Sequence, residues 1–131
     1  MPKESAPSKT NTAKKILIIE DERPLAHALE LKLGSKGYAT TVVTTGADAI
    51  RVLENGKFDI ILLDLIIPGI DGFGVLKTLR EKNVKTPVVV LSNLGQAEDQ
   101  ERAKEYGVAK YCVKSNTPLA VIVDTVHSIL S

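Results

Sequence analysis

Five short apolar runs recur along the chain, and a stretch of helical periodicity follows each one. They are Ile16–Ile19, Tyr38–Val43, Ile60–Leu63, Val88–Leu91 and Ala109–Val113. Runs this short, rich in Val, Ile and Leu and bounded by turn residues, read as strands buried on both faces of a parallel sheet. The stretches between them carry helix start and stop signals. Pro24 suits a first helical turn, where its missing N–H has no partner to lose. Leu25, Ala28, Leu29 and Leu33 then recur at helical spacing until Gly34 and Gly37. Thr44-Thr45-Gly46 supplies a cap for a second helix, with Ala47, Ile50 and Leu53 inward and Asn55-Gly56 at its end. Asp71-Gly72 caps a third, with Phe73, Leu76 and Leu79 inward.

The fourth helix is expected over Gly95–Tyr106. Its apolar stripe is thin: Ala97, Ala103 and Tyr106. Helical stability in proteins comes mainly from packing an apolar face, so this helix should be the least firmly held. Leu119–Leu130 is rich in Val and Ile, yet it reads as a fifth helix. Ser115, Asn116 and Thr117 offer caps ahead of Pro118 at the first helical position, and Leu119, Ile122, Val123, Val126 and Leu130 share one face. Strand followed by helix, five times over, predicts an α/β, flavodoxin-like doubly wound (βα)5 fold. Its five-stranded parallel sheet should have the order 2-1-3-4-5.

Residues 1–13 hold two prolines, several hydroxyl residues and almost nothing to bury, and are expected to be a disordered leader. Residues 14–131 form the one domain that the length of 131 residues suits. The net charge of +1 gives no global pull toward nucleic acid or an anionic membrane. No apolar run approaches the ~20 residues of a membrane span, so no membrane partner is expected. The single cysteine, Cys112, makes no internal disulfide and fits a reducing cytoplasm.

In a parallel sheet all strand C-termini point to one edge, and ligands of open α/β sheets bind outside that edge. Here the edge collects Glu20 and Asp21 after the first strand, Asp64 after the third, Ser92 at the end of the fourth and Lys114 after the fifth. Two carboxylates ~4 Å apart repel by about 4 kcal/mol at an effective dielectric of ~20, so three acids together call for a cation. Oxygen ligands with room for water suit Mg²⁺ better than zinc. A metal, a lysine and a hydroxyl around one carboxylate make a clamp for a transferring phosphoryl group. The carboxylate itself can be the nucleophile, giving an aspartyl phosphate.

The pieces I-L-I-I-E-D-E, I-I-L-L-D-L-I-I-P-G-I-D-G, V-V-V-L-S and K-Y-C-V-K stand in that order on the five-fold βα pattern. With them the chain resembles the receiver domain of bacterial response regulators, over nearly its whole length after the leader. The resemblance implies that Asp64 accepts a phosphoryl group from a sensor histidine kinase or phosphotransfer protein. It implies that Asp21 binds Mg²⁺ directly, Glu20 through water, and Ile66 through its backbone carbonyl. Lys114 would pair with Asp64 and then with the phosphoryl oxygens. Ser92 would move to bond the phosphoryl group, and Tyr111 would change rotamer in response. The fourth helix, fifth strand and fifth helix would form the face read by a downstream effector or output domain, with homodimerisation through the fourth and fifth helices open to it. Direct nucleic-acid binding by this domain is not implied. Such a domain catalyses its own phosphorylation and dephosphorylation and turns over no separate substrate.

Several positions depart from the family pattern. Glu20 replaces the more usual Asp and keeps the charge on a longer arm. Ser115 follows Lys114 where the family usually has a proline, so the loop holding Lys114 is expected to be less rigid. Asn93 stands where a small residue is common and is expected either to crowd the phosphoryl site or to donate a hydrogen bond to it. Ile66 and Leu94 flank the implied path of the hydrolytic water and are both apolar, which predicts a long-lived phosphoryl state.

Each site residue also has a plainer role: Asp64, Asp21 and Glu22 as helix or turn caps, Ser92 as a strand-end hydroxyl, Lys114 as a solvated lysine, Tyr111 as ring packing. His27 and His127 read as surface residues. The main alternative function is a phosphorylation-independent pseudo-receiver acting as a protein-binding module. A flavin carrier on the same fold would want a hydroxyl- and glycine-rich loop where this chain has E-D-E-R-P. An aspartyl phosphatase would want an acid at Ile66. The chain stops just after the fifth helix, which fits either a stand-alone regulator or a receiver excised from a longer protein.

Overall fold

The computed structural model describes residues 13–131, so the leader expected over residues 1–13 lies outside the described residues apart from Ala13. The elements alternate without exception: β1 (Lys15–Ile19), α1 (Arg23–Ser35), β2 (Ala39–Val43), α2 (Gly46–Asn55), β3 (Ile60–Leu63), α3 (Gly72–Glu81), β4 (Val88–Ser92), α4 (Ala97–Glu105), β5 (Lys110–Val113) and α5 (Leu119–Leu130). The five strands pair in parallel in the order β2-β1-β3-β4-β5, the flavodoxin-like arrangement expected from the alternation.

The apolar runs are buried on both faces because successive side chains of a strand point to opposite sides. Leu17, Ile19, Ile61, Leu63, Val88 and Val90 pack under Ala49, Phe73, Val75, Leu76, Leu79 and Ala103 from α2, α3 and α4. Ile16, Ile18, Ile60, Leu62, Val89, Leu91 and Cys112 pack under Leu29, Leu33, Ile122, Val123 and Val126 from α1 and α5. The sheet is thus the middle of three layers, and no strand position in β1, β3 or β4 between Ile16 and Leu91 is left for a polar side chain.

Register places the strand ends level. Ile19 stands beside Val43 on one side and Leu63 on the other. The ladder runs one residue further on each strand: the Glu20 amide donates to the Val43 carbonyl at 3.0 Å, and the Asp64 amide donates to the Ile19 carbonyl at 2.9 Å. These two bonds fix the backbones of Glu20 and Asp64 side by side at the edge where the apolar run stops.

Helix entry follows the sequence signals at two places. Thr45 Oγ1 accepts from the Asp48 amide (3.1 Å) and Asp71 Oδ1 from the Gly74 amide (2.9 Å). At α5 the expectation fails. Pro118 is the N-cap itself, with φ −60° and ψ 153°, and the helix begins at Leu119. Lys114–Asn116 form a single 3-10 turn, and the Thr117 hydroxyl donates to the Val113 carbonyl (2.8 Å) instead of capping α5. The inward face of α2 also differs: Ala47 is exposed and Ala49 is buried. Gly46 packs so closely on Ile70 that a Cβ there would collide with its carbonyl, which turns the helix by its first residue.

The fourth helix is shorter than expected, and Ala97 is exposed. Ala103 is its one buried residue. A second tie comes from Arg102, whose guanidinium sits 3.9 Å from the ring centroid of Phe73 on α3.

Candidate functional site

Three strands deliver charged groups to one point. Glu20 follows β1, Asp64 follows β3, and Lys114 opens the turn after β5. The Lys114 ammonium spans them: Nζ lies 2.9 Å from Asp64 Oδ2 and 2.8 Å from Glu20 Oε1. It also stands 3.4 Å from Glu22 Oε1. Asp64 and Glu20 are buried, and the lysine side chain is only 9% exposed. The plain reading of Lys114 as a solvated lysine therefore fails.

Backbone amides orient the carboxylates. Asp64 Oδ1 accepts from the Ile66 amide (3.0 Å), and Glu20 Oε2 accepts from the Glu22 amide (3.0 Å). Asp64 is thereby held on both oxygens, Oδ1 from its own loop and Oδ2 from across the sheet. Gly72 secures that loop from behind: a Cβ there would strike Leu65 Cα and the Asp64 carbonyl.

Burial is the largest influence on the Glu20 carboxyl and raises it to about 7. The Lys114 ammonium and the Glu22 amide pull it down, and the neighbouring Asp64 charge adds to the rise. Burial alone would lower the Lys114 ammonium, but the Glu20 and Asp64 carboxylates outweigh it and raise it above the ordinary lysine value.

Glu20, Asp21 and Asp64 each offer one carboxylate oxygen, all within 4.8 Å of one another. Glu20 Oε1 is buried and has no aligned hydrogen-bond donor among the described residues; the ammonium at 2.8 Å meets it as an ion pair. Three clustered carboxylates sharing one ammonium are a donor set for a hard divalent cation. The residues present therefore fit Mg²⁺. Beside them opens a cleft of about 200 Å³ lined by Asp21, Glu22, Asp64, Ile66, Asn93 and Lys114. Ile66 is 55% exposed at its rim.

Ser92 and Tyr111 stand one step back. Ser92 is fully buried at the end of β4, and its Oγ accepts from the Leu94 amide at 3.1 Å. The Tyr111 hydroxyl donates to the Leu94 carbonyl. Burial raises the Tyr111 phenol, with the Asp99 carboxylate adding to the rise. The structure thus gathers Asp21, Asp64, Ile66 and Lys114 at one cleft, with Glu20 buried against Lys114, and links Ser92 to Tyr111 through the backbone of one residue, Leu94. Tyr38, away from the site, is hydrogen-bonded at 2.9 Å to the exposed His127.

Sequence reasoning treated Glu22 only as a helix cap. It is the α1 N-cap, but its side chain makes no cap hydrogen bond and faces Lys114 instead. The available signal was weak: a third acid in E-D-E, longer than the Ser, Thr, Asp and Asn that cap best.

The model of the response regulator receiver domain matches residues 16–126. Over 100 residues, 76% of this chain, it is 37% identical to the cell cycle response regulator CtrA of Brucella abortus, covering 43% of that protein. It is 32% identical over 100 residues, again 76% of this chain, to the transcriptional regulatory protein DltR of Streptococcus agalactiae, covering 45% of it. The chain thus spans less than half the length of these curated relatives. Among solved structures it superposes on the receiver domain of the Francisella response regulator 1452 with a TM-score of 0.84 at 28% identity, covering 89% of this chain and 96% of that one. The BeF3-activated N-terminal receiver domain of Klebsiella pneumoniae RstA gives a TM-score of 0.82 at 29% identity, covering 89% and 98%. The chain belongs to the response regulator receiver domain family.

Proposed function

We propose that this receiver domain is a phosphorylation-driven switch with Asp64 as the phosphoryl acceptor. The observation that carries the reading is the buried Asp64 carboxylate, aimed by the Ile66 amide and paired with Lys114 at 2.9 Å, with the Glu20 and Asp21 carboxylates beside it. Asp64 attacks phosphorus through a carboxylate oxygen. The new P–O bond forms as the P–N bond of a phosphohistidine breaks, and the histidine ring leaves with its electron pair. Lys114 passes from Asp64 Oδ2 to the phosphoryl oxygens, where its charge counts for more as negative charge spreads. Glu20, Asp21 and Asp64, with the Ile66 carbonyl, would hold Mg²⁺, which supplies electrostatic stabilisation to the transferring group.

Ser92 and Tyr111 carry the change outward in this reading. A phosphoryl group that draws the Ser92 hydroxyl takes it from the Leu94 amide, and the Leu94 carbonyl is the present partner of Tyr111. The face altered is then α4, β5 and α5, of which α4 is held by a single buried side chain. The donor is a sensor histidine kinase or phosphotransfer protein in the cytoplasm, and the reader is a downstream effector or output domain. The domain turns over no separate substrate.

Intact mass after incubation with Mg²⁺ and acetyl phosphate tests the reading. One added phosphoryl group is expected, absent when Mg²⁺ is chelated and absent in Asp64→Asn. No addition, repeated with a kinase-bound phosphohistidine, would overturn it in favour of a pseudo-receiver.

A further inference from the structure

We infer that Glu22 is a positioning residue for Lys114: it tethers the ammonium over the cleft while the other two carboxylates on that lysine change partners. The inference rests on the proposed role of Asp64 and deepens it.

Three carboxylates surround Lys114 Nζ, those of Glu20, Asp64 and Glu22. Two of them have other work in the reaction. Asp64 loses a carboxylate oxygen to the acyl phosphate, and Glu20 belongs to the cation's donor set. Only Glu22 is outside both roles, so only Glu22 offers Lys114 the same counter-charge before and after phosphoryl transfer.

The local structure is built for this reach. Thr45 and Asp71, at the N-caps of α2 and α3, turn their side chains back onto helix amides. Glu22 occupies the same place on α1 and does not. Its own amide is fastened to Glu20 Oε2, which sets its backbone against the site, and its carboxylate lies toward the lysine at 3.4 Å. Glu22 also lines the cleft together with Asp64 and Lys114. Lys114 has need of such a tether. It sits on a one-turn 3-10 segment whose tie back to the strand is the Thr117 hydroxyl on the Val113 carbonyl.

The test uses the full chain labelled with ¹⁵N-lysine. The Lys114 ammonium signal, assigned by its loss in Lys114→Arg, is followed in metal-free protein, and phosphorylation by acetyl phosphate is timed at saturating Mg²⁺. Glu22→Gln is expected to speed hydrogen exchange of the ammonium and to slow phosphorylation, each by about two- to fivefold, the range of an ion pair with one exposed partner. Glu22→Asp keeps the charge but ends one methylene short, and is expected to behave like Glu22→Gln. Unchanged exchange in Glu22→Gln overturns the inference. So does wild-type behaviour in Glu22→Asp, because charge alone would then suffice. The exchange measurement needs no phosphorylation, so a protein that never takes a phosphoryl group sinks the acceptor role of Asp64 and leaves the Glu22–Lys114 tether standing or falling by itself.

Discussion

The Tyr111 hydroxyl donates to the carbonyl of Leu94, tying β5 to the segment that leaves β4. The amide of the same residue donates to Ser92 Oγ. The backbone of Leu94 is therefore gripped on both sides, at its N–H by the buried Ser92 hydroxyl and at its C=O by the half-buried Tyr111 ring. Tyr111→Phe keeps the ring and releases the carbonyl. We expect a stability loss of about 0.5–1.5 kcal/mol in urea denaturation, the net worth of one hydrogen bond. Phosphorylation of Asp64 should survive, since Tyr111 touches none of the reacting groups. Loss of phosphorylation in a folded Tyr111→Phe protein would contradict this separation.

Glu20 gives a pH dependence with a definite sign. Its folded carboxyl is raised from 4.5 to about 7, chiefly by burial, so between those pH values the metal-free folded state holds a proton that the unfolded chain has released. The associated stability is complete below about 4.5 and is lost as pH rises through about 7. At about 1.4 kcal/mol per pH unit the full effect is on the order of 3 kcal/mol. In chelator, Tm should fall between about pH 5 and pH 8, and Glu20→Gln should flatten the slope. A Glu20→Gln protein with the wild-type slope would show that another group titrates.

Ile66 stands 55% exposed at the rim of the cleft and has no polar atom in its side chain to orient water. Once the acetyl phosphate is removed, the phosphoryl group should decay slowly. Ile66→Asn should speed the decay several-fold, followed by intact mass over time. Equal decay in the two proteins would rule out this position as the brake.

Hydrogen exchange should rank the helices. Local opening is easiest where little apolar surface is buried, and α4 buries Ala103 alone, whereas α2 adds the partly buried Val52 and Leu53 to its Ala49. Amides of Ala97–Glu105 should exchange before those of the other four helices. Arg102→Ala removes the contact to Phe73 and should lower stability by about 0.5–1 kcal/mol while hastening exchange in α4 alone. Uniform acceleration across the molecule would show that α4 does not open independently.

The sheet was legible because its signal is one-dimensional. Ile16–Ile19, Ile60–Leu63 and Val88–Leu91 are short continuous apolar runs, and only burial on both faces explains such runs. Once the strands are parallel, Glu20, Asp64 and Lys114 must meet, and they do. Thr45 and Asp71 were legible as caps because a cap bonds an amide three residues away. What escaped was decided by contacts between distant segments. Ala47 faces out because Gly46 lies against Ile70 in the next connection. Pro118 stands outside α5 because Thr117 turns back to Val113. Glu22 has a sufficient local explanation as a cap, and its pairing with Lys114 joins the first connection of the chain to the last.

The light anchoring of α4 bears on how such a domain diverges. Apart from Ala103, and Arg102 on the Phe73 ring, its side chains are free of core packing and can be exchanged without leaving a hole in the interior. The groups of the acidic cleft are set by strand ends and do not depend on those positions. Substitution along α4 is therefore expected to remodel that surface while leaving the geometry of the acidic cleft unaltered.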